Sequence, residues 1–170
     1  MASPASSPAH DHLEDLSLVH SPLSRLFTQP RTPAEWAQYQ LSEQQIAQFR
    51  AQGYLTGVRV LSEEQCDVLC AELEQISDPA HPRYSRWYSP EVQEEANSAD
   101  PTQVLTHALG AWRVGVGFHD LLWAPAFRMA AWQLLGGDFR FYHDQLFAKP
   151  PSNGGVVSWV RPRAPAWLPA

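Results

Sequence analysis

The stretch from Phe139 to Lys149 is the most strand-like part of this chain, and it constrains the fold more than any other. Alternation along a strand places five of its side chains on one face: Phe139, Phe141, His143, Gln145 and Phe147. Two polar groups therefore interrupt an aromatic row. Two interpretations are open, a half-buried strand whose polar pair bonds to neighbours or water, and a barrel interior that holds a small polar ligand.

Two helices are predicted from the same starting pattern. Residues 42–45 read Ser-Glu-Gln-Gln and residues 62–65 read Ser-Glu-Glu-Gln, and each set forms a capping box. The first helix should end at Gly53 and the second at Asp78, which precedes a proline. Residues 54–60 between them have the length and the β-branched content of a short strand.

The two cysteines fall within the second predicted helix. Cys66 and Cys70 are four residues apart, which places both on one helix face and suits neither a disulfide framework nor a four-ligand zinc site. We predict that both are small residues facing the core.

The composition limits the class of protein. A chain of 170 residues with 44% hydrophobic residues can form one domain with its own core. The net charge of −6, with only 12 Lys and Arg residues, argues against a nucleic-acid partner, because such binding depends on clustered cations. The N-terminus lacks the pattern of a signal peptide and no run of residues is apolar enough for a membrane span, so a cytoplasmic protein without a membrane partner is predicted.

Three regions are distinguished by composition. Residues 1–33 are rich in Ala, Ser, Pro and His, which predicts a flexible leader. Residues 34–159 carry the patterns of an ordered domain. Residues 160–170 contain three prolines and cannot sustain a central strand, so we interpret them as an aberrant tail.

Within the domain, residues 79–101 are predicted to form a long surface loop. Three aromatic residues in this loop, Tyr84, Trp87 and Tyr88, either line the mouth of a substrate site or fix the loop to the body of the protein. Helical character returns from Thr102 onward. It includes a helix with Pro125 in its first turn and a stop at Gly136-Gly137.

Two stretches in the second half of the chain, taken in order, resemble one family. Residues 143–151 read His-Asp-Gln-Leu-Phe-Ala-Lys-Pro-Pro, and residues 154–159 read Gly-Gly-Val-Val-Ser-Trp. Preceded by a helix, a short strand, a capped helix, a long loop and a further helix, they resemble the N-terminal half of the phytanoyl-CoA dioxygenase family over residues 41–159. Members of that family are non-haem oxygenases that use Fe(II) and 2-oxoglutarate. The resemblance implies an α+β fold of N-terminal helices and the first strands of a double-stranded β-helix, or jelly roll, incomplete at the C-terminus.

The resemblance also implies which positions would form the site. In the family a His-x-Asp pair follows the strand equivalent to the one ending at Trp159, and together with a distant His it holds the iron. This chain has Val160 and Pro162 at those positions. No catalytic residue and no metal ligand is therefore expected in it. Gln145 and His107 match positions that contact 2-oxoglutarate, and they are the predicted cofactor-binding residues.

No substitute metal site is expected from the other residues. His119-Asp120 and His143-Asp144 are adjacent pairs whose side chains should diverge on a helix or a strand, so neither pair should chelate one ion. The second His of the family, and the Arg that pairs with 2-oxoglutarate, would fall beyond Ala170.

Two functions follow as expectations. The first is a dioxygenase dependent on Fe(II) and 2-oxoglutarate that hydroxylates a small or acyl substrate. This chain would perform it only if the absent half is supplied elsewhere, and alone it is expected neither to act nor to bind the two cofactors. The second is a non-catalytic remnant that binds a partner, or associates with itself, through exposed strand edges. For the tail after Trp159 we expect a missed splice junction, a frameshift or a gene-model error.

Overall fold

The computed structural model describes residues 14–87 and 106–148. Its helices are α1 (Pro33–Ala37), α2 (Glu43–Gln52), α3 (Glu63–Ile76), α4 (Ala111–Val114), α5 (Val116–Leu121) and α6 (Pro125–Leu135), with short 3-10 turns at Leu16–Leu18 and Tyr84–Arg86. Two strands, β1 (Thr106–Leu109) and β2 (Gln145–Ala148), pair in antiparallel fashion. Helices with a small antiparallel sheet make an α+β arrangement, which confirms the predicted fold class at that level. None of the helices in the described ranges has the length and apolar character needed to cross a membrane.

Both capping boxes are confirmed. Ser42 accepts a hydrogen bond from the backbone N–H of Gln45, whose side chain accepts one from the backbone N–H of Ser42, and Ser62 and Gln65 do the same. Helix α2 ends at Gly53, which has the left-handed φ of 78° that glycine adopts readily. The helix starts are predictable because a capping box is made entirely within one turn of the chain.

The strand predicted over residues 54–60 is wrong, because this stretch carries neither helix nor strand. A strand needs a neighbour that accepts and donates its backbone hydrogen bonds, and no described segment pairs with these residues. Gly57, at a φ of 77°, also turns the backbone away from an extended course. The β-branched content of the segment supplies only a local preference.

The small sheet also differs from the sequence prediction. Helix was expected from Thr102 onward, whereas the described chain resumes in strand β1 and becomes helical only at Ala111. The long strand expected over residues 139–149 is confined to β2 within its described residues, since residues 139–144 have no ladder partner. The helix with Pro125 at its first position and Gly136 as its C-cap is confirmed.

The two cysteines were predicted to face the core, and that prediction is wrong. Cys66 and Cys70 are free thiols on the exposed side of α3. The buried stripe of this helix runs through Leu69 and Ile76 instead. A spacing of four residues places two side chains on one face, but it does not decide which face the rest of the protein covers.

Residues 14–31, which we call the N-terminal strap, pack against the helices rather than forming part of a flexible leader. Leu16 is 0% exposed and Phe27 is 5% exposed. Asp15 forms an ion pair with Arg113 on α4. The prolines that predicted disorder prevent regular structure in this segment, but they do not prevent its apolar side chains from finding a core.

A buried cluster of Ile76, Trp87, Ala111 and Val114 forms the core beside the strap. The Trp87 indole N–H donates to the carbonyl oxygen of Ile76 at 3.2 Å. Arg83 donates from Nε to the carbonyl oxygen of Val114 at 2.7 Å. Of the two roles considered for Trp87, the structure therefore supports fixing the start of the loop to the body; the remainder of the loop, with Tyr88, lies outside the described residues.

Candidate functional site

His119 and Asp120 form a buried polar pair, each 1% exposed. Although neighbours on a helix point about 100° apart, their side chains meet, with His119 Nδ1 2.9 Å from Asp120 Oδ1. His119 Nε2 lies 3.0 Å from the carbonyl oxygen of Val19. Both ring nitrogens therefore face hydrogen-bond acceptors of the protein, so neither is directed at a metal site.

Asp120 holds the N-terminal strap. Its Oδ1 accepts the backbone N–H of Leu23 at 2.8 Å, and its Oδ2 accepts the backbone N–H and the hydroxyl of Ser24, both at 2.6 Å. Burial raises the pKa of Asp120, but the hydrogen bonds from His119, Ser24 and Leu23 outweigh it, so the net pKa is lowered. The pair thus has a structural role in joining α5 to the strap.

The second adjacent pair, His143 and Asp144, is likewise structural. Asp144 accepts the backbone N–H groups of Gly110 and Trp112 at 2.8 and 2.9 Å, and so satisfies donors at the start of α4. His143 donates from Nδ1 to the carbonyl oxygen of Asp144 at 3.1 Å. No group of three His, Cys, Asp or Glu residues that could hold a metal ion occurs in the described parts of the chain.

Glu72 on α3 is a third carboxylate that accepts hydrogen bonds from backbone N–H groups. It accepts the backbone N–H groups of Gly117 and Phe118 at 2.9 and 3.0 Å, at the start of α5. Burial raises the pKa of Glu72, and these hydrogen bonds offset only part of the rise. A Cβ atom at Gly115 or Gly117 would lie 2.7 or 2.8 Å from Glu72 Oε2, so the two glycines let the carboxylate approach the backbone.

Gln145 and His107, the two residues expected to contact 2-oxoglutarate, lie on neighbouring strands. The register pairs His107 with Phe147 and Leu109 with Gln145. The two positions are therefore diagonal neighbours on one face of the ribbon. The Gln145 side chain is exposed. The positions expected to hold iron, Val160 and Pro162, lie outside the described residues.

A cavity of about 580 Å³ lies between the strap, α1, α5, α6 and the residues that lead into β2. Six aromatic side chains line it: Trp36, Trp112, Trp123, Trp132, Phe139 and Phe141. Trp112 and Phe141 meet edge to face with ring centroids 5.2 Å apart. The volume is within the range of about 300–1,000 Å³ typical of small-molecule sites.

Arg128 supplies a guanidinium group at this cavity. Its guanidinium carbon lies 5.6 Å from the ring centroid of Trp36 and 5.3 Å from that of Trp123, so the group is held by two indole faces. The ion pairs found among the described residues all involve other side chains. Asp138 also lines the cavity and is exposed.

One donor in the wall lacks a partner. The indole Nε1 of Trp112 is buried and has no acceptor among the described residues. A buried donor without an acceptor costs roughly 1–3 kcal/mol, so an acceptor supplied by another group would stabilise this wall.

Sequence reasoning did not find this cavity. The density of tryptophan between residues 112 and 132, with Arg128 four residues before Trp132 on one face of α6, was the available signal. Trp36 joins the cavity from far away in the sequence, and that contact has no local pattern. Phe139 and Phe141 were assigned to a strand face, whereas they line the cavity.

No protein-family model matches this chain, and no curated protein is significantly similar to it.

Asp15 gives a pH-dependent prediction. Burial raises its pKa, but hydrogen bonds from Arg113 and Ser17 outweigh this and lower the pKa from 3.8 to about 2. A lowered folded-state pKa contributes stability that is present above pH 3.8 and is lost as the pH falls towards 2. Asp15→Asn should therefore lower the free energy of unfolding by about 1.5–3 kcal/mol at pH 7.

The difference between wild type and Asp15→Asn should shrink below pH 3.8 and disappear near pH 2. Urea denaturation of the full chain across this range measures it. Asp67→Asn, at an exposed position on α3, is the matched control and should change little. A difference that stays constant down to pH 2 would contradict the assignment to the Asp15 carboxylate.

Proposed function

We propose that this chain is the N-terminal part of a dioxygenase of the phytanoyl-CoA dioxygenase type, which uses Fe(II) and 2-oxoglutarate to hydroxylate a small or acyl substrate. The proposal extends the α+β arrangement to the first strands of a jelly roll. Its support is the resemblance over residues 41–159 together with the two capped helices, Glu43–Gln52 and Glu63–Ile76, that the structure contains.

The observation that carries the proposal is the register of β1 with β2. It brings the positions of His107 and Gln145 onto adjacent strands, although they are distant in sequence. Gln145 is exposed on the ribbon, as a side chain that contacts a small ligand should be. The hydrogen bonds from Gly110 and Trp112 to Asp144 fix the residue before β2 to the residues after β1, and so hold the ribbon in register.

The described residues do not fit an iron site, because they contain no cluster of three suitable ligands. By the resemblance, the His-x-Asp positions are Val160 and Pro162, and neither side chain can ligate iron. Under this proposal the ligands must come from residues that this sequence does not supply. Fe(II) and 2-oxoglutarate are thus proposed for the complete site, and no catalytic step is assigned to this chain alone.

The alternative function is a non-catalytic one, in which the chain binds a partner or a second copy of itself. The observation that favours it is the ribbon, where Phe147 is 49% exposed and each strand has only one neighbour among the described residues. Unpaired strand edges and exposed aromatic side chains favour pairing with another strand.

The first experiment is to sequence the DNA and the transcript immediately 3′ of the Trp159 codon. We expect a His-x-Asp in an adjoining exon or reading frame, followed downstream by a second His and an Arg. The protein carrying them should bind about one 2-oxoglutarate per chain in the presence of Mn(II), measured by calorimetry. Absence of the motif from both sequences, with no metal-dependent binding, would leave the partner-binding alternative.

Variants of the restored protein locate the site. Gln145→Ala should weaken binding of 2-oxoglutarate about tenfold, because it removes one hydrogen bond to a charged ligand. Gln75→Ala, at an exposed glutamine on α3, is the control and should bind as the unmodified protein does. Equal binding by both variants would remove Gln145 from the proposed site.

A further inference from the structure

We propose that the aromatic cavity binds a small carboxylate with an aromatic body, with its carboxylate on Arg128 and its ring between the surrounding indole and phenyl groups. This site is separate from the proposed 2-oxoglutarate site, because Gln145 does not line the cavity. The inference does not rest on the proposed oxygenase function and requires no metal.

The surroundings of Arg128 favour a carboxylate ligand. A guanidinium group uses its faces for stacking and its edge for hydrogen bonds. Trp36 and Trp123 lie against Arg128 at 5.6 and 5.3 Å, which restricts the orientation of the group. Its in-plane N–H groups make no hydrogen bond to any described residue, and no described carboxylate lies within ion-pair distance. A planar carboxylate is the group that matches such a preorganised donor edge.

Four other polar residues line the cavity. The Ser17 hydroxyl donates to Asp15 and His20 is exposed, so Arg128 is the group whose charge and fixed position suit it to anchor a ligand. His119 lines the cavity, but both of its ring nitrogens are already used, by Asp120 and by the carbonyl of Val19. Asp138 is negative and exposed, so it disfavours ligands that carry several negative charges. The charges therefore favour a single carboxylate.

The lining determines the rest of the ligand. Six aromatic side chains surround a volume of about 580 Å³, which is ample for one ring and a short chain. Aromatic rings pack best against such walls in offset or edge-to-face geometry, as Trp112 and Phe141 already do with each other. An aromatic body should therefore bind more tightly than an aliphatic one of equal size.

The test uses the full chain and a series of related probes. The ligand 3-phenylpropionate carries the proposed ring and charge, 3-phenylpropanol replaces the carboxylate by a hydroxyl, and phenethylamine reverses the charge. Because Trp36, Trp112, Trp123 and Trp132 line the cavity, binding can be followed by tryptophan fluorescence. We expect 3-phenylpropionate to bind at least tenfold more tightly than the alcohol, and the amine to bind most weakly.

Arg128→Leu should raise the Kd for 3-phenylpropionate about tenfold to hundredfold while leaving the Kd for 3-phenylpropanol nearly unchanged. Arg140→Leu is the matched control, since this arginine is exposed, does not line the cavity and gives the same change in charge. L-phenylalanine tests Asp138, because its ammonium adds a positive charge; tighter binding than 3-phenylpropionate would support the site and extend the class to aromatic amino acids.

Three results would overturn the inference: equal binding of the carboxylate and the amine, equal effects of the two arginine substitutions, or no saturable binding of any probe. The last would mean that another segment of the chain or a protein partner covers the cavity. The comparison among probes needs only the unmodified chain, so it decides the question even if Arg128→Leu does not fold.

Discussion

Asp120→Ala is expected to lower the free energy of unfolding by about 3–5 kcal/mol, because it removes one member of a fully buried, hydrogen-bonded polar pair. The backbone N–H groups of Leu23 and Ser24 lose their acceptor, and so does His119 Nδ1. These donors lie where water does not replace the carboxylate easily. The N-terminal strap should detach from α5 as a result.

Urea denaturation of the full chain measures the total loss, and limited proteolysis locates it. Cleavage after Arg25 or Arg31 should become faster in Asp120→Ala under native conditions, because both bonds lie in the strap. Asp67→Ala, at an exposed aspartate on α3, is the control and should stay within about 0.5 kcal/mol of wild type. A loss below about 1 kcal/mol with unchanged cleavage would show that Asp120 does not hold the strap.

Leu16→Ala is expected to lower the free energy of unfolding by about 2–5 kcal/mol, since Leu16 is 0% exposed and its removal leaves a cavity. Leu18 belongs to the same 3-10 turn but is 78% exposed. Leu18→Ala is therefore a matched control, expected within about 0.5 kcal/mol of wild type. Equal effects of the two substitutions would contradict the packing of the strap.

The two large effects should not add. Leu16 and Asp120 hold the same strap, one by apolar burial and the other by hydrogen bonds. Once one substitution has released the strap, the second should therefore cause a smaller further loss in the free energy of unfolding. The double variant should therefore lose less stability than the sum of the single losses, by at least about 0.5 kcal/mol. Simple additivity would mean that the strap contributes two independent contacts.

The parts of the fold that sequence reasoning predicted correctly are made within a few residues of chain. The capping boxes at Ser42 and Ser62 and the helix stops at Gly53 and Gly136 were all recognisable from short patterns. Each depends on a backbone group and a side chain three or four residues apart, or on the φ preference of glycine.

The errors share a different cause. The stretch 54–60 has the composition of a strand but no described partner, and Thr106–Leu109 forms a strand because Gln145–Ala148 lies beside it. Cys66 and Cys70 lie on one helix side, but the core formed on the Leu69 side. Local preference cannot decide these cases, because pairing and burial depend on segments far away in the sequence.

Some candidate site residues were singled out from the sequence, whereas others became apparent only from tertiary contacts. The resemblance over residues 41–159 singled out Gln145 and His107, and whether they bind 2-oxoglutarate stays a prediction. His119 and Asp120 were considered only as a metal-binding pair, and their role in holding the strap follows from contacts about 100 residues apart in sequence. The aromatic cavity was not foreseen at all.

The sequence by itself determined where the capped helices begin and where helices α2 and α6 end at glycine. Only the tertiary structure decided that residues 14–31 join the core, and that Trp36 and Trp123 enclose Arg128. The physical reason is the range of the interactions. Capping and turn preferences act within a few residues, whereas burial and ring stacking act between any segments that the fold brings together.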